Sequence, residues 1–221
     1  MYLVSYIERS KPPGVAVGQR GFTMDALVRR AYLALHWPPQ SETAADQARR
    51  LAEVMARASD WTLAAAAEGI TIWTSADAPF PVTALPGLSG FVIGDVFDAA
   101  GRRLDAPHGL RGPAATIEFG RRAAELARLY WGTYVALLCD PGSDGLGVYR
   151  DPTGMLDGLV RGLVPGVTVM ASEVTRVPSE LRAQAALNWD RIGRFLAIPA
   201  AATTPSLLDG VDAVGPKSSS R

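Results

Sequence analysis

Three pairs of short apolar runs, each joined across a tight-turn signal, constrain this chain more than any other feature. Residues 61–67 and 70–74 flank Glu68-Gly69, and residues 159–163 and 167–171 flank Pro165-Gly166. Residues 133–138 and 146–149 flank the run Pro141-Gly142-Ser143-Asp144-Gly145. Turn residues at such spacing bring consecutive strands back antiparallel. Residues 2–7 and 91–97 read as two further strands. Four stretches carry helical spacing instead. Residues 24–37 place Leu27, Ala31, Ala34 and Leu35 on one face, with Thr23 as N-cap and Pro38-Pro39 as the stop. Residues 43–58 align Ala44, Ala48, Leu51, Val54 and Met55; residues 114–130 align Ile117, Ala124, Leu126 and Leu129; residues 189–198 start near Asp190. Strands in adjacent hairpins, with helices in separate blocks, predict a mixed α+β fold with antiparallel sheets. Strict βα alternation and a G-x-G-x-x-G after a strand are both missing, which argues against a doubly wound parallel sheet.

Composition narrows the function classes. The 221 residues carry 22 basic and 22 acidic side chains, so net charge offers no attraction to nucleic acid or an anionic membrane. The single cysteine, Cys139, excludes an internal disulfide or a cysteine-rich zinc site. His36 and His108 have no acidic or cysteine partner at ligand spacing, so no metal is expected. No apolar stretch is long enough to span a bilayer, and Glu8, Arg9 and Lys11 break any signal-peptide pattern. These features predict a cytoplasmic protein with neither membrane nor nucleic-acid partners. A phosphate-cradling G-x-x-x-x-G-K-[ST] loop is absent, and no nucleotide is expected in this chain.

Residues 130–174 carry a more specific pattern. A strand containing Gly132-Thr133-Tyr134-Val135-Ala136 leads through a Gly-rich turn to Arg150-Asp151-Pro152-Thr153-Gly154, and a strand pair then ends in Ala171-Ser172-Glu173. This order resembles the class II glutamine-amidotransferase domain of asparagine-synthetase-type proteins, where "G-x-F/Y-A", "R-D-x-x-G" and "A-S-E" follow one another. Two flanking segments agree. Phe91-Val92-Ile93-Gly94-Asp95-Val96-Phe97 is similar to the family's "F-N-G-E-I-Y-N" strand. Residues 206–216 are similar to the segment that joins this domain to a synthetase domain. The first ninety residues match poorly. The resemblance implies an N-terminal-nucleophile hydrolase fold, an αββα sandwich of two antiparallel sheets between helical layers. It implies a degenerate amidotransferase-like domain over residues 1–186, with 187–221 starting the linker and helix toward a synthetase domain.

The same resemblance implies that the glutaminase is silent. The family's nucleophile is an N-terminal cysteine; the matching position here is Tyr2, whose phenol has a pKa of about 10 and is a poor acyl acceptor. The family's Asn-Gly oxyanion pair is matched by Ile93-Gly94, in which only the Gly94 N–H remains as a donor. Ile93, Gly94 and Asp95 are thus expected to form a vestigial glutamine pocket. Glu118 is the only acidic residue near the expected position of the glutamine-binding carboxylate. Arg150, Asp151, Gly154 and Glu173 are expected to be structural, Cys139 a small buried residue, and Trp131 and Trp189 core or interface residues. Asp95 and Asp98, three apart on a strand, face opposite sides. Loss of the nucleophile within this family is a property of lasso-peptide cyclases, which use ATP to activate an acidic side chain and close a ring with the peptide's own amine. The resemblance therefore implies a scaffold ending before a synthetase domain. Its expected partners are that domain, or a separately encoded synthetase-like subunit, and a precursor peptide. ATP and Mg²⁺ would belong to the synthetase half. A fragment of a glutamine-hydrolysing asparagine synthetase and a free-standing assembly protein are the other two expectations.

Overall fold

The computed structural model describes residues 30–85, 90–104, 119–139, 145–153, 155–182, 186–197, 206–215 and 219–220. Fifteen helices and strands run through them in chain order: β1 (Tyr32–His36), α1 (Glu42–Arg57), β2 (Trp61–Ala67), β3 (Ile70–Ser75), β4 (Val82–Ala84), β5 (Gly90–Asp98), α2 (Phe119–Leu129), β6 (Tyr130–Cys139), β7 (Leu146–Arg150), β8 (Leu159–Val164), β9 (Val167–Ala171), α3 (Ser179–Arg182), α4 (Trp189–Ala197), β10 (Asp212–Ala213) and β11 (Ser219–Ser220). They form two sheets. Sheet A has the order β10-β8-β9-β1-β3-β2 and sheet B the order β11-β7-β6-β5-β4. Every pairing is antiparallel. The fold is mixed α+β, as the hairpin pattern predicts, and all three expected hairpins are present.

The helix expected over 24–37 is corrected where it is described. Residues 32–36 form β1, in the middle of sheet A, paired with Thr74 through Ile70 of β3 on one side and with Ala171 through Thr168 of β9 on the other. Ala31, Tyr32, Leu33, Ala34 and Leu35 are all fully buried. Leu33 and Leu35 point to one face of the sheet while Tyr32 and Ala34 point to the other. A strand covered on both faces needs apolar side chains at successive positions, and such a run also satisfies a helical template. Residues 24–29 of that expectation, and the strand expected at 2–7, lie outside the described residues.

Helix α1 follows its sequence signals closely. Ser41 is the N-cap, its hydroxyl accepting from the Ala44 N–H at 3.3 Å. Ala44, Ala48 and Met55 are buried against the outer face of sheet A, beside Leu33, Leu35, Trp73 and Val169. On the other side of the molecule, Ala123 and Leu126 of α2 pack on Val92, Val96, Ala136 and Leu138 from the outer face of sheet B. Between the sheets lies a third core that includes Tyr32, Ile72, Phe91, Ile93, Val135, Leu137 and Met170. The order across the molecule is α1, sheet A, sheet B, α2. The helix expected to reach residue 130 stops at Leu129, and Tyr130 already begins β6, paired with Asp98.

The segment after α4 returns to this body. Asp212 and Ala213 pair with Val160 and Leu159 of β8, and Val214 is buried in the inter-sheet core. A boundary at residue 186 therefore falls inside the packed structure, because the later residues complete sheet A. Among the described residues no helix is long and apolar enough to cross a membrane.

Candidate functional site

Strand β5 carries Ile93, Gly94 and Asp95 toward the edge of the inter-sheet core. Ile93 is fully buried, opposite Val82 of β4 and Val135 of β6. It has no side-chain donor to offer an oxyanion. The Gly94 N–H, the donor expected to remain available, is instead bonded to the Pro81 carbonyl at 3.0 Å. The strand that carries the expected oxyanion pair thus has its one candidate donor engaged by the neighbouring chain segment.

Asp95 is held by two guanidinium groups. Arg30 Nη1 lies 2.6 Å from Oδ2, and Arg103 Nη2 lies 2.8 Å from Oδ1. Arg30 also donates through Nη2 to the Pro79 carbonyl at 3.1 Å, and its guanidinium sits 4.5 Å from the centre of the Phe80 ring. Arg30 lies just before β1 of sheet A, and Asp95 belongs to sheet B. The pair therefore clasps the two sheets at the end where β1 begins. Partial burial strengthens such a clasp over a fully exposed pair, because less water screens the charges.

Neither arginine stands out in the sequence. Arg30 reaches Asp95 only because β1 runs through the centre of sheet A, 65 positions away in the chain. A local signal did exist for Arg103. Asp98-Ala99-Ala100-Gly101-Arg102 forms a turn in which Asp98 Oδ1 accepts from the Ala100 and Arg102 N–H groups at 2.9 and 3.0 Å. The chain returns through a bridge between Phe97 and Arg103, which places Arg103 beside the start of the same hairpin. Hydrogen bonds from Arg102, backbone first, hold the Asp98 carboxyl below its ordinary range. Tyr2, expected at the nucleophile position, lies outside the described residues, as do Gly154, His108 and Glu118.

No protein-family model matches this chain, and no curated protein does.

The loop after β7 holds the second group of singled-out residues. Arg150 spreads over three acceptors: Nε donates to the Leu156 carbonyl at 2.7 Å, Nη1 to the Val214 carbonyl at 3.2 Å, and Nη2 to Asp157 Oδ1 at 2.6 Å. Asp151 is fully buried. Its Oδ2 accepts from the Tyr134 N–H at 3.3 Å, and its Oδ1 from the Thr153 N–H at 2.9 Å and hydroxyl at 2.5 Å. Its own N–H returns to the Tyr134 carbonyl at 3.1 Å. These two adjacent residues face different ways. Arg150 ties the loop to the closing segment at Val214, and Asp151 pins the loop to β6. Glu173 accepts from the Thr175 hydroxyl at 2.6 Å and leads into a 3-10 turn at Val174–Arg176.

The remaining sequence candidates are dispersed. Cys139 is half-buried at the end of β6, and His36 ends β1. Trp131 is exposed on β6, stacked 4.7 Å from Phe97 with its indole N–H on the Asp98 carbonyl at 2.9 Å. Trp189 is 72% exposed on α4, which rules out a core role for it in this chain. Among the described residues no three of His, Cys, Asp and Glu cluster to hold a metal.

Two buried phenols link this region to alkaline stability. Tyr134, beside Tyr149 and Asp151, and Tyr32, whose hydroxyl donates to the Asp157 carbonyl at 3.0 Å, both have pKa values pushed well up, chiefly by burial. Above a pH of about 10 the unfolded chain releases these protons while the folded chain keeps them. The unfolded state then binds fewer protons, so stability is complete below about pH 10 and falls above it, by up to about 1.4 kcal/mol per pH unit for each phenol. Urea unfolding at pH 9, 10 and 11 checks this. Tyr134→Phe should flatten the alkaline decline by about one proton's slope.

Proposed function

We propose that this protein is a glutaminase-inactive, amidotransferase-like scaffold that serves an ATP-dependent amide-forming enzyme related to asparagine synthetases, of the lasso-peptide cyclase type. In this reading the four-layer arrangement is a degenerate N-terminal-nucleophile hydrolase sandwich. The observation that carries it is the Arg30–Asp95 clasp beside Gly94. On a strand similar to the family's oxyanion strand, the side chain after the glycine is locked by two cations, and the glycine N–H is bonded to Pro81. A glutaminase needs an open amide donor and a nucleophile at this end of the sandwich; an internal clasp occupies it instead.

The ordered motifs support the same lineage. Within residues 130–174, Gly132 to Ala136 lie on β6, Arg150 ends β7 and Ala171 ends β9, and Arg150 and Asp151 anchor the loop between β7 and β8. ATP and Mg²⁺ would be held by the synthetase partner, which would activate an Asp or Glu side chain. A ring-closing amine within the peptide removes the need for ammonia, so loss of the glutaminase costs such an enzyme nothing. The apolar side chains of Trp189 and Leu196, exposed on α4, provide a surface on which the partner could seat.

The test has two arms. Incubated with glutamine, the protein should release no ammonia above a blank, and a glutamine-derived diazoketone should leave its mass unchanged. Incubated with ATP, Mg²⁺ and a precursor peptide, it should yield a ring, seen as loss of one water, only when the synthetase subunit is added. Covalent labelling by the diazoketone, or ring closure by this chain alone, defeats the proposal.

A further inference from the structure

We propose that the cleft where β7 of sheet B faces β8, β9 and β10 of sheet A is a binding site for a small carboxylic acid with an apolar body, held by Arg161. The cleft has a volume of about 410 Å³, within the range typical of small-molecule sites, roughly 300–1,000 Å³. It lies at the opposite end of β1 from the Arg30–Asp95 clasp, with His36, the last residue of that strand, on its wall. It is therefore separate from the site described above.

Arg161 is the group that calls for a ligand. Among the described residues, its Nη1 is buried with no hydrogen-bond partner and no carboxylate lies within ion-pairing distance. A guanidinium cannot escape burial by losing its proton. A buried charged donor without an acceptor is costly, and such orphans are rare in folded proteins. The side chain reaches from β8 across the turn before β10; a Cβ placed on Gly210 would lie 3.6 Å from its Nη2. Glycine at that turn lets the chain pass close against the guanidinium, and Arg161 and Gly210 both line the cleft.

The rest of the lining selects the class of anion. Leu146, Val160 and Val164, all partly exposed, supply an apolar wall suited to a hydrocarbon body. Asp212, opposite Val160 on β10, puts a negative charge in the same cleft. One cation and one anion together disfavour a multiply charged phosphate. They accept a single carboxylate, whose two oxygens match the guanidinium fork.

Isovalerate, its neutral isostere isovaleramide and inorganic phosphate serve as probes, titrated into the full chain and followed by ligand-observed NMR. Isovalerate should bind saturably, with the amide and phosphate weaker by about tenfold or more. Arg161→Met, which keeps the apolar stem, should abolish the preference for isovalerate over the amide. Asp212→Asn should tighten isovalerate by about threefold, since it removes a like charge. Equal binding of acid and amide, no saturable binding of the acid, or tighter binding of phosphate would overturn the proposal. So would unchanged isovalerate binding by a folded Arg161→Met protein, folding being checked by its thermal midpoint. Should that variant not fold, the acid–amide comparison and the Asp212→Asn protein decide the matter alone.

Discussion

Replacing Gly94 by alanine is expected to cost about 4 kcal/mol of folding stability, the sum of a strained backbone and an unrelieved clash. Gly94 has a φ of +118°, which L side chains rarely adopt. A Cβ built there would sit 2.2 Å from the Thr133 carbonyl oxygen and 2.9 Å from the Tyr134 Cα. Both contacts are backbone of the paired strand β6, so no rotamer change relieves them. The strands would have to separate next to Asp95, where β5 meets the clasp from Arg30 and Arg103. Gly101 is the matched control. Its φ is +77°, but nothing lies within 4 Å of a Cβ there. Gly101→Ala should therefore cost only the conformational term, about 1–2 kcal/mol. Urea denaturation of both variants separates strain from clash. A Gly94→Ala protein no less stable than Gly101→Ala would mean that β5 and β6 do not approach as closely as described.

Asp151→Ala is the second large effect, expected at about 3–4 kcal/mol. The substitution removes the acceptor of the Tyr134 and Thr153 N–H groups and of the Thr153 hydroxyl. Asp151 is fully buried, so water cannot readily replace it. Asp151→Asn keeps one acceptor oxygen and a similar volume, and should lose about half as much. The Arg150 contacts to Leu156, Asp157 and Val214 do not pass through Asp151 and should survive. Limited proteolysis then becomes informative. Asp151→Ala should expose the loop following β7 to cleavage before the rest of the chain, and the Asn variant should be slower. A loss below about 0.5 kcal/mol for the alanine variant would show that this loop does not hold the β6–β7 hairpin in place.

Much of the candidate site was legible as positions but not as relationships. Ile93, Gly94 and Asp95 are singled out by the resemblance of their strand to a known family, and the structure places them together on β5 at the inter-sheet core. What their neighbours do was not readable. Pro81 bonds the Gly94 N–H, and Pro79 and Phe80 bracket Arg30; these residues sit in the connection before β4, a stretch with no motif. Arg30 itself precedes a run whose spacing fits a helix and a buried strand equally well. Arg150 and Asp151 read as one dipeptide in a turn, and the structure separates them into two unrelated anchors. Val214 and its neighbours read as a linker, but they close sheet A.

Local chemistry determined the hairpins, the capped helix α1, the α+β class and the antiparallel sense of the strands. Turn residues, caps and apolar periodicity act over a few positions, and those positions are all present in the sequence. Tertiary structure alone decided that residues 32–36 are a strand, that Arg30 closes on Asp95, and that Arg161 Nη1 has no partner among the described residues beside an open cleft. Each of these depends on which sheet face or edge a residue meets. That is set by packing between segments far apart in the chain, where burial on both faces overrides local spacing and a charge finds its partner, or lacks one, only after the sheets assemble.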